Sequence, residues 1–232
     1  MTFLIYVAVA LLSILVIYIF LPWGAKLLIR KQFLNRAKYV NAVFLTFDDG
    51  PNPDVTPKIL ELLKGADAKA TFFVLGKNVK QYPDIAKSII ENGHEIAEHS
   101  YEHLHAWKTG PVGTLRDLVR GERTLETFLE ENRGRVSFRP PFGKLNLVTL
   151  LYVWFRRKRI AFWNRDPKDY AANSAQEVAN FVIRGLKAGD VILLHDGENN
   201  RNNSATIEAL SMILEACQIK GLRTSLIREG IS

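Results

Sequence analysis

Thr46-Phe47-Asp48-Asp49-Gly50-Pro51 closes the apolar run Ala42-Val43-Phe44-Leu45 and sets two adjacent carboxylates where a buried strand gives way to a Gly-Pro turn. About fifty residues on, His99-Ser100-Tyr101-Glu102-His103 spaces two imidazoles four residues apart, so one helical turn would bring both to one side. Two His and one Asp make a three-ligand zinc site with a position left open, the arrangement of a catalytic zinc. The second Asp is then free to act as a base toward an activated water. Taken alone, each half also has a plainer reading: an Asx-type turn for the paired Asp, an incidental pair for the histidines.

Three further strings change the balance: Arg139-Pro140-Pro141-Phe142-Gly143, Asp166-Pro167-Lys168-Asp169-Tyr170, and Leu193-Leu194-His195-Asp196 at the end of the strand-like Val191-Ile192-Leu193-Leu194. In order and spacing the five strings resemble the five motifs of the polysaccharide deacetylase family (carbohydrate esterase family 4), over roughly residues 40–228. The resemblance implies an α/β fold, a distorted (β/α)7 barrel, and hydrolysis of an N-acyl group. It makes Asp49, His99 and His103 the metal ligands, for Zn2+ or else Co2+ or Ni2+. It makes Asp48 the base, and His195 the acid that protonates the departing amine. The backbone N–H at Phe142, a position that is usually Tyr in the family, would hold the oxyanion, and Leu193 would line the acyl-methyl pocket. Pro140 and Tyr170 join the substrate-binding set, with Tyr170 standing where the family has Trp. Arg139 would hold Asp48 ionised, and Asp166 would hold Arg139 and His195 in place.

Strand-like runs recur at 42–47, 70–74, 94–98, 136–138, 160–163, 191–194 and 222–226, with helical patterns at 56–63, 85–92, 113–130, 175–186 and 206–220 between most of them. Strands alternating with helices argue for a parallel sheet. Asp48, Asp49, His99, Arg139, Asp166 and His195 each fall just after a strand candidate, where barrel folds carry their chemistry. Plainer origins suit His94 and His105 (strand-end or loop histidines), Asp196 (a strand-end hydrogen bond), Arg201 with Thr206 (a loop charge and a helix start) and Cys217 (a buried thiol).

The formal net charge of +7 suggests nucleic acid until it is located. Lys26, Arg30, Lys31, Arg36 and Lys38 follow one apolar run, and Arg156, Arg157, Lys158 and Arg159 follow another; without these nine, 22 basic residues face 24 acidic ones. Basicity confined to two such flanks suits an anionic membrane and excludes nucleic acid as the partner. Met1 to Ala25 carries no charged side chain, and 3–21 is long enough to cross a ~30 Å hydrocarbon core. The organisation expected is a transmembrane helix at 1–23, a basic juxtamembrane segment at 24–40 and the catalytic domain at 41–230. All nearby basic residues lie C-terminal to the span, which leans toward a domain on the cytoplasmic face. Residues 145–155 are apolar all round and run into the second basic cluster: either a buried helix, or a second membrane contact with Trp154 and the cluster at headgroup level. The expected partners are membrane lipid and an N-acetylated glycan, foremost an amino sugar on a lipid carrier. A peptidoglycan or chitin-like polymer is the alternative, and a glycan-binding module with a vestigial site is the reading outside enzymology.

Overall fold

The computed structural model describes residues 1–127, 136–198 and 203–231. The chain opens with one unbroken helix: α1 (Thr2–Leu15), a π-turn (Val16–Phe20) and α2 (Leu21–Ala37). The expected division at residue 23 therefore falls inside a continuous helix. There follow β1 (Phe44–Asp48), α3 (Thr56–Gly65), β2 (Ala70–Val74), α4 (Gly76–Gln81), α5 (Pro83–Glu91), β3 (Glu95–Glu98) and α6 (Pro111–Glu126). The chain then runs through β4 (Ser137–Phe138), α7 (Leu147–Phe155), β5 (Arg159–Ile160), α8 (Ala175–Ile183), β6 (Val191–His195), α9 (Asn203–Ile219) and α10 (Ile227–Gly230). Residues 128–130 of the predicted 113–130 helix, and Arg201, lie outside the described residues.

All strand pairs are parallel, in the order β5-β4-β3-β2-β1-β6. Both sheet faces are covered, so the strands read as apolar runs whose alternate residues serve two cores. On β1, Leu45 and Phe47 join the outer core with the α3, α5, α8 and α9 side chains, while Phe44 joins the inner core with Phe73, Phe138 and Phe162. Thr46 and Asp48 share the inward parity of Phe44. The curl from β5 back to β6 is completed by one bridge, Arg165 to Ile192.

The barrel thus has six paired strands among the described residues, not seven. The 222–226 run contributes a single bridge, Val43 to Thr224. It passes beneath the strand starts, where side chains meet its polar groups and those of its neighbours: Lys69 N donates to Thr224 Oγ1, Ile227 N to Thr71 Oγ1 and Arg228 N to Glu95 Oε2. Cys217 is buried in the outer core, and burial pushes its thiol up to about 11.

The N-terminal helix runs antiparallel to the strands. Tyr18 Oη donates to Thr109 O and accepts from Asn146 Nδ2, on loops at the strands' C-terminal ends. Further along, Arg30 Nη2 donates to Trp163 O, and at the far end Lys38 packs on Gly189, just before β6 begins. No residue of α1 is buried. α1 accordingly projects from the face that carries the strands' C-terminal ends.

α7 is neither fully buried nor laid on that face. Thr149, Tyr152 and Val153 are buried, whereas Trp154 and Phe155 are exposed. Trp154, Phe155, Arg157 and Lys158 share a groove with Ile29, eleven residues beyond Tyr18 and hence about 16 Å further down the helix axis. The basic cluster is also partly neutralised. Lys158 Nζ contacts Glu98 Oε2 at 2.7 Å and Glu122 Oε1 at 3.0 Å, and Arg156 Nε contacts Glu122 Oε2 at 3.0 Å. The helix thus combines a buried face with exposed aromatics at its end, and of the four basic residues Arg156 and Lys158 are paired with acids.

Candidate active site

β1 and β6 pair in a register that sets Asp48 directly opposite His195. In parallel strands such partners point to the same side, so strand pairing alone puts a carboxylate and an imidazole at one mouth. The next residue, Asp49, has a φ of 73°, which turns it out of the strand. Its backbone is clamped by Asn78 Nδ2, which donates to Asp49 O at 2.7 Å, and by Gly197, where an added Cβ would meet Asp49 Cβ at 2.4 Å.

His99 and His103 do come together, with ring centroids 5.0 Å apart, but not on a helix. The segment after β3 is irregular, with Ser100 and His103 at φ 68° and 63°. Two left-handed residues forbid a helical turn and fold the loop back on itself, and Ser100 Oγ accepts from His103 N at 3.2 Å. With Asp49 and Phe142, this makes four non-glycine residues at positive φ around one site, a concentration of backbone strain of the kind functional sites hold.

The trio fits a divalent metal. One donor atom from each of Asp49, His99 and His103 lies within 4.8 Å of the others. Arg139 O, which can only accept, takes the Nδ1 proton of His99 at 2.7 Å and so fixes the tautomer with an unprotonated Nε2. Burial, then the neighbouring His103, lower the His99 pKa to about 3, so the ring is neutral and ready to ligate. That Nε2 faces Asp49 Oδ1 at 3.5 Å, and His103 Nε2 lies 3.3 Å from the same oxygen. Asp49 Oδ1 is buried and has no hydrogen-bond partner. Lone pairs that face each other repel, and a cation between them removes the conflict.

Arg139 is the largest fully buried side chain. Its Nη1 donates to Asp48 Oδ1 at 2.6 Å and to Thr46 Oγ1 at 2.8 Å, and its guanidinium lies 3.9 Å from the Phe73 ring centroid. Burial raises the Asp48 pKa, and the charges of Arg139 and His195 oppose that rise.

The carboxylate that meets His195 is Asp169, not Asp166. Asp169 Oδ1 lies 2.7 Å from His195 Nδ1, and Oδ2 accepts from His195 N at 2.8 Å and from Thr206 Oγ1 at 3.0 Å. Asp166 Oδ1 instead accepts from Lys168 N at 3.0 Å, and the guanidinium donors of Arg139 go to Thr46, Asp48 and Phe162. The left-handed Lys168 (φ 55°) opens a 3-10 turn, Asp169–Ala171, that drives Asp169 inward and leaves Asp166 on the cavity wall. Burial works against a charged His195, but the hydrogen bond and charge of Asp169, with Asp48 and Asp49, outweigh it and raise its pKa to about 9.

A cavity of about 630 Å3 gathers Asp48, Asp49, His99, His103, Phe142, Asp166, Tyr170, Leu193 and His195, with Trp163 and Lys144. Phe142 (φ 56°) turns an exposed ring against His103 and His105, at 4.4 and 5.0 Å between centroids, and Tyr170 stands edge-on to His195 at 5.2 Å. Pro140 is buried and precedes the Pro141–Gly143 turn; it does not line the cavity. Sequence reasoning missed Asp169, Trp163 and Lys144. Only Asp169 had a signal, as the second acid of its string, next to an aromatic. Of the residues given plainer origins, His94 accepts from Ala70 N as expected, whereas Asp196 is buried at the site's edge, with Oδ2 accepting from Thr56 Oγ1 at 2.6 Å. Burial and the charges of Asp49 and Asp48 push Asp196 up to about 7.

The sequence model of the family described as "Polysaccharide deacetylase" matches residues 36–153. A peptidoglycan-N-acetylglucosamine deacetylase of Bacillus cereus is 35% identical over 193 residues, covering 81% of this chain and 86% of that protein. A chitooligosaccharide deacetylase of Azorhizobium caulinodans is 30% identical, covering 78% and 90%. The crystal structure of the Bc1960 peptidoglycan N-acetylglucosamine deacetylase superposes with a TM-score of 0.76 at 31% identity, over 84% of this chain and 89% of that one. The chain belongs to the polysaccharide deacetylase family.

Proposed function

We propose that this protein is a metal-dependent amino-sugar N-deacetylase, anchored in the membrane by its N-terminal helix and acting on an N-acetylated sugar carried on a lipid. The observation that carries the catalytic reading is the register pairing of Asp48 with His195 beside the Asp49–His99–His103 trio.

Asp48 is the base that takes a proton from the attacking water, with Arg139 holding its carboxylate ionised. His195, oriented by Asp169 and protonated at neutral pH, gives its proton to the amine as the amide C–N bond breaks. The products are a free amino sugar and the carboxylate of the acyl group. The Phe142 backbone N–H serves the oxyanion, and Leu193 faces the acyl methyl. A zinc ion at the trio would supply Lewis acidity toward water and the amide carbonyl, and Co2+ or Ni2+ suits the same donors.

The membrane reading is supported by the helix Thr2–Ala37, long and apolar enough to cross a bilayer. Because α1 leaves from the cavity side, a helix spanning the bilayer turns the catalytic mouth toward the lipid surface. A lipid-linked sugar presents its acetamide there, whereas a distant wall polymer does not. The positive flank favours the cytoplasmic side for the domain, and a reporter fused after Ser232 tests that. The second reading, a peptidoglycan- or chitin-type polymer, is favoured by the relatives, which are named as deacetylases of those glycans.

The test is acetate release by the full-length protein in vesicles containing a lipid-linked N-acetyl amino sugar, set against polymer and free oligosaccharide. Faster turnover of the lipid-linked sugar supports the reading. Faster turnover of polymer replaces it with the second one. No release from any of the three returns the site to a glycan-binding role.

A further inference from the structure

Lys26 and Arg30 sit one turn apart on α2, and both reach across to the domain. Lys26 Nζ lies 5.9 Å from the Phe162 ring centroid, and Arg30 Nη2 donates to Trp163 O at 2.9 Å. Trp163 is itself a wall of the catalytic cavity. Lys144 lines the same cavity, its Nζ 4.3 Å from the Trp107 ring centroid and 3.3 Å from His105 Nε2. Lys26 is within electrostatic reach of both Arg30 and Lys144.

Among the described residues none of these three cations has a carboxylate within 4 Å, whereas Lys158, Arg156 and Arg165 all do. Three like charges with no ion-pair partner of their own repel one another even though Asp48, Asp49 and Asp166 line the same cavity, and a bound anion reverses the sign of that interaction. A neutral acetamido sugar can accept their hydrogen bonds but brings no compensating charge. We propose that Lys144, on the lining, and Lys26 and Arg30, beside the Phe162–Trp163 wall, form a phosphate subsite at the edge of the catalytic cavity, binding the phosphodiester or pyrophosphate that joins an amino sugar to its lipid. This deepens the lipid-linked reading above and rests on it. The chemistry is compact. In a 2-acetamido sugar 1-phosphate the amide and the phosphate are on adjacent ring carbons, so one sugar presents both groups to one cavity. Two of the three cations belong to the anchor helix, which makes that helix a part of the substrate site as well as a tether.

The test compares KM for a 2-acetamido sugar 1-phosphate with KM for its neutral methyl glycoside, using the full-length protein in neutral detergent. Wild type is expected to favour the phosphate about tenfold, the worth of one charge-assisted hydrogen bond. In Lys26→Ala with Lys144→Ala the preference should collapse to within about twofold, and Lys→Arg at both positions should restore most of it. Equal KM values in wild type overturn the proposal without needing any variant. So does a double variant that keeps the preference but loses binding to phosphatidylglycerol vesicles relative to phosphatidylcholine ones, because the cations then serve lipid headgroups. The two failures separate cleanly. A wild type that prefers lipid-linked sugar over polymer yet ignores the phosphate refutes the subsite alone, whereas one that prefers polymer refutes the reading beneath it.

Discussion

Replacing Asp169 by Asn keeps the shape of the side chain and removes its charge, which isolates what that carboxylate does for His195. The buried Asp169 accepts from His195 N and Thr206 Oγ1 and meets His195 Nδ1 at 2.7 Å. The pKa of His195 stands at about 9 against 6.5 for an ordinary imidazole, and Asp169 heads the causes that raise it. That difference corresponds to about 3 kcal/mol favouring the charged ring. Without the carboxylate, burial is left as the dominant influence, and the pKa should fall to about 6.5 or below. At pH 8 the protonated fraction would drop from about nine-tenths to about one-thirtieth, a roughly thirtyfold loss of general acid, whereas at pH 6 the loss would be under about twofold. The assay is a pH–rate profile of acetate release for wild type and Asp169→Asn, with NMR titration of the His195 ring. The basic limb should move from near pH 9 to near or below pH 6.5. Stability follows the same sign. The raised folded-state pKa contributes stability that is complete below about pH 6.5 and disappears as the pH rises through about 9. A variant whose profile is lowered in parallel at every pH, with the limb unmoved, would refute the argument. Asp166→Asn, lacking that contact, should leave the limb in place.

Asp48→Asn should keep its bound metal by elemental analysis yet lose about 10²- to 10⁴-fold in turnover, since an amide cannot take the water's proton. Gly50→Ala puts a Cβ 2.2 Å from Asp196 Oδ2, between the base, its neighbouring ligand and a buried carboxylate. It should lower the unfolding free energy by about 1–3 kcal/mol in chemical denaturation and weaken metal binding through Asp49. Lys158→Met leaves Glu98 and Glu122 without their shared cation and should destabilise by about 3–5 kcal/mol in the same measurement, while Arg157→Gln on the exposed turn should shift it little.

The strands were legible where an apolar run ended in a group that the core does not tolerate. β1 and β6 stop at Asp48 and His195 because those side chains need the open end of the barrel. What misled sequence reasoning had local physical causes. Four-residue spacing between histidines means one helical turn only if the backbone stays right-handed, and Ser100 and His103 do not. Asp166 and Asp169 are chemically identical in sequence, and only the left-handed turn at Lys168 decides which one points inward. Arg156 and Lys158 read as free cations because Glu98 and Glu122, their partners, are distant in sequence. The 222–226 run has strand composition, but the places beside β1 were already taken by β2 and β6. Lys144 and Trp163 had no pattern to betray them, since Lys144 enters the cavity from the irregular segment after the Pro141–Gly143 turn and Trp163 from the β5–β6 connection.

The most direct test of the central claim is stoichiometric. The purified full-length protein is stripped with a chelator, one equivalent of Zn2+ is returned in steps, and acetate and free amine are both counted from an N-acetylated amino sugar. Activity should rise with metal and saturate at one ion per chain. One acetate should appear per new amine, and His103→Ala should show no recovery at the same metal level. Full activity in the stripped protein, or metal-dependent acetate release that survives Asp49→Ala with His103→Ala, would contradict the claim.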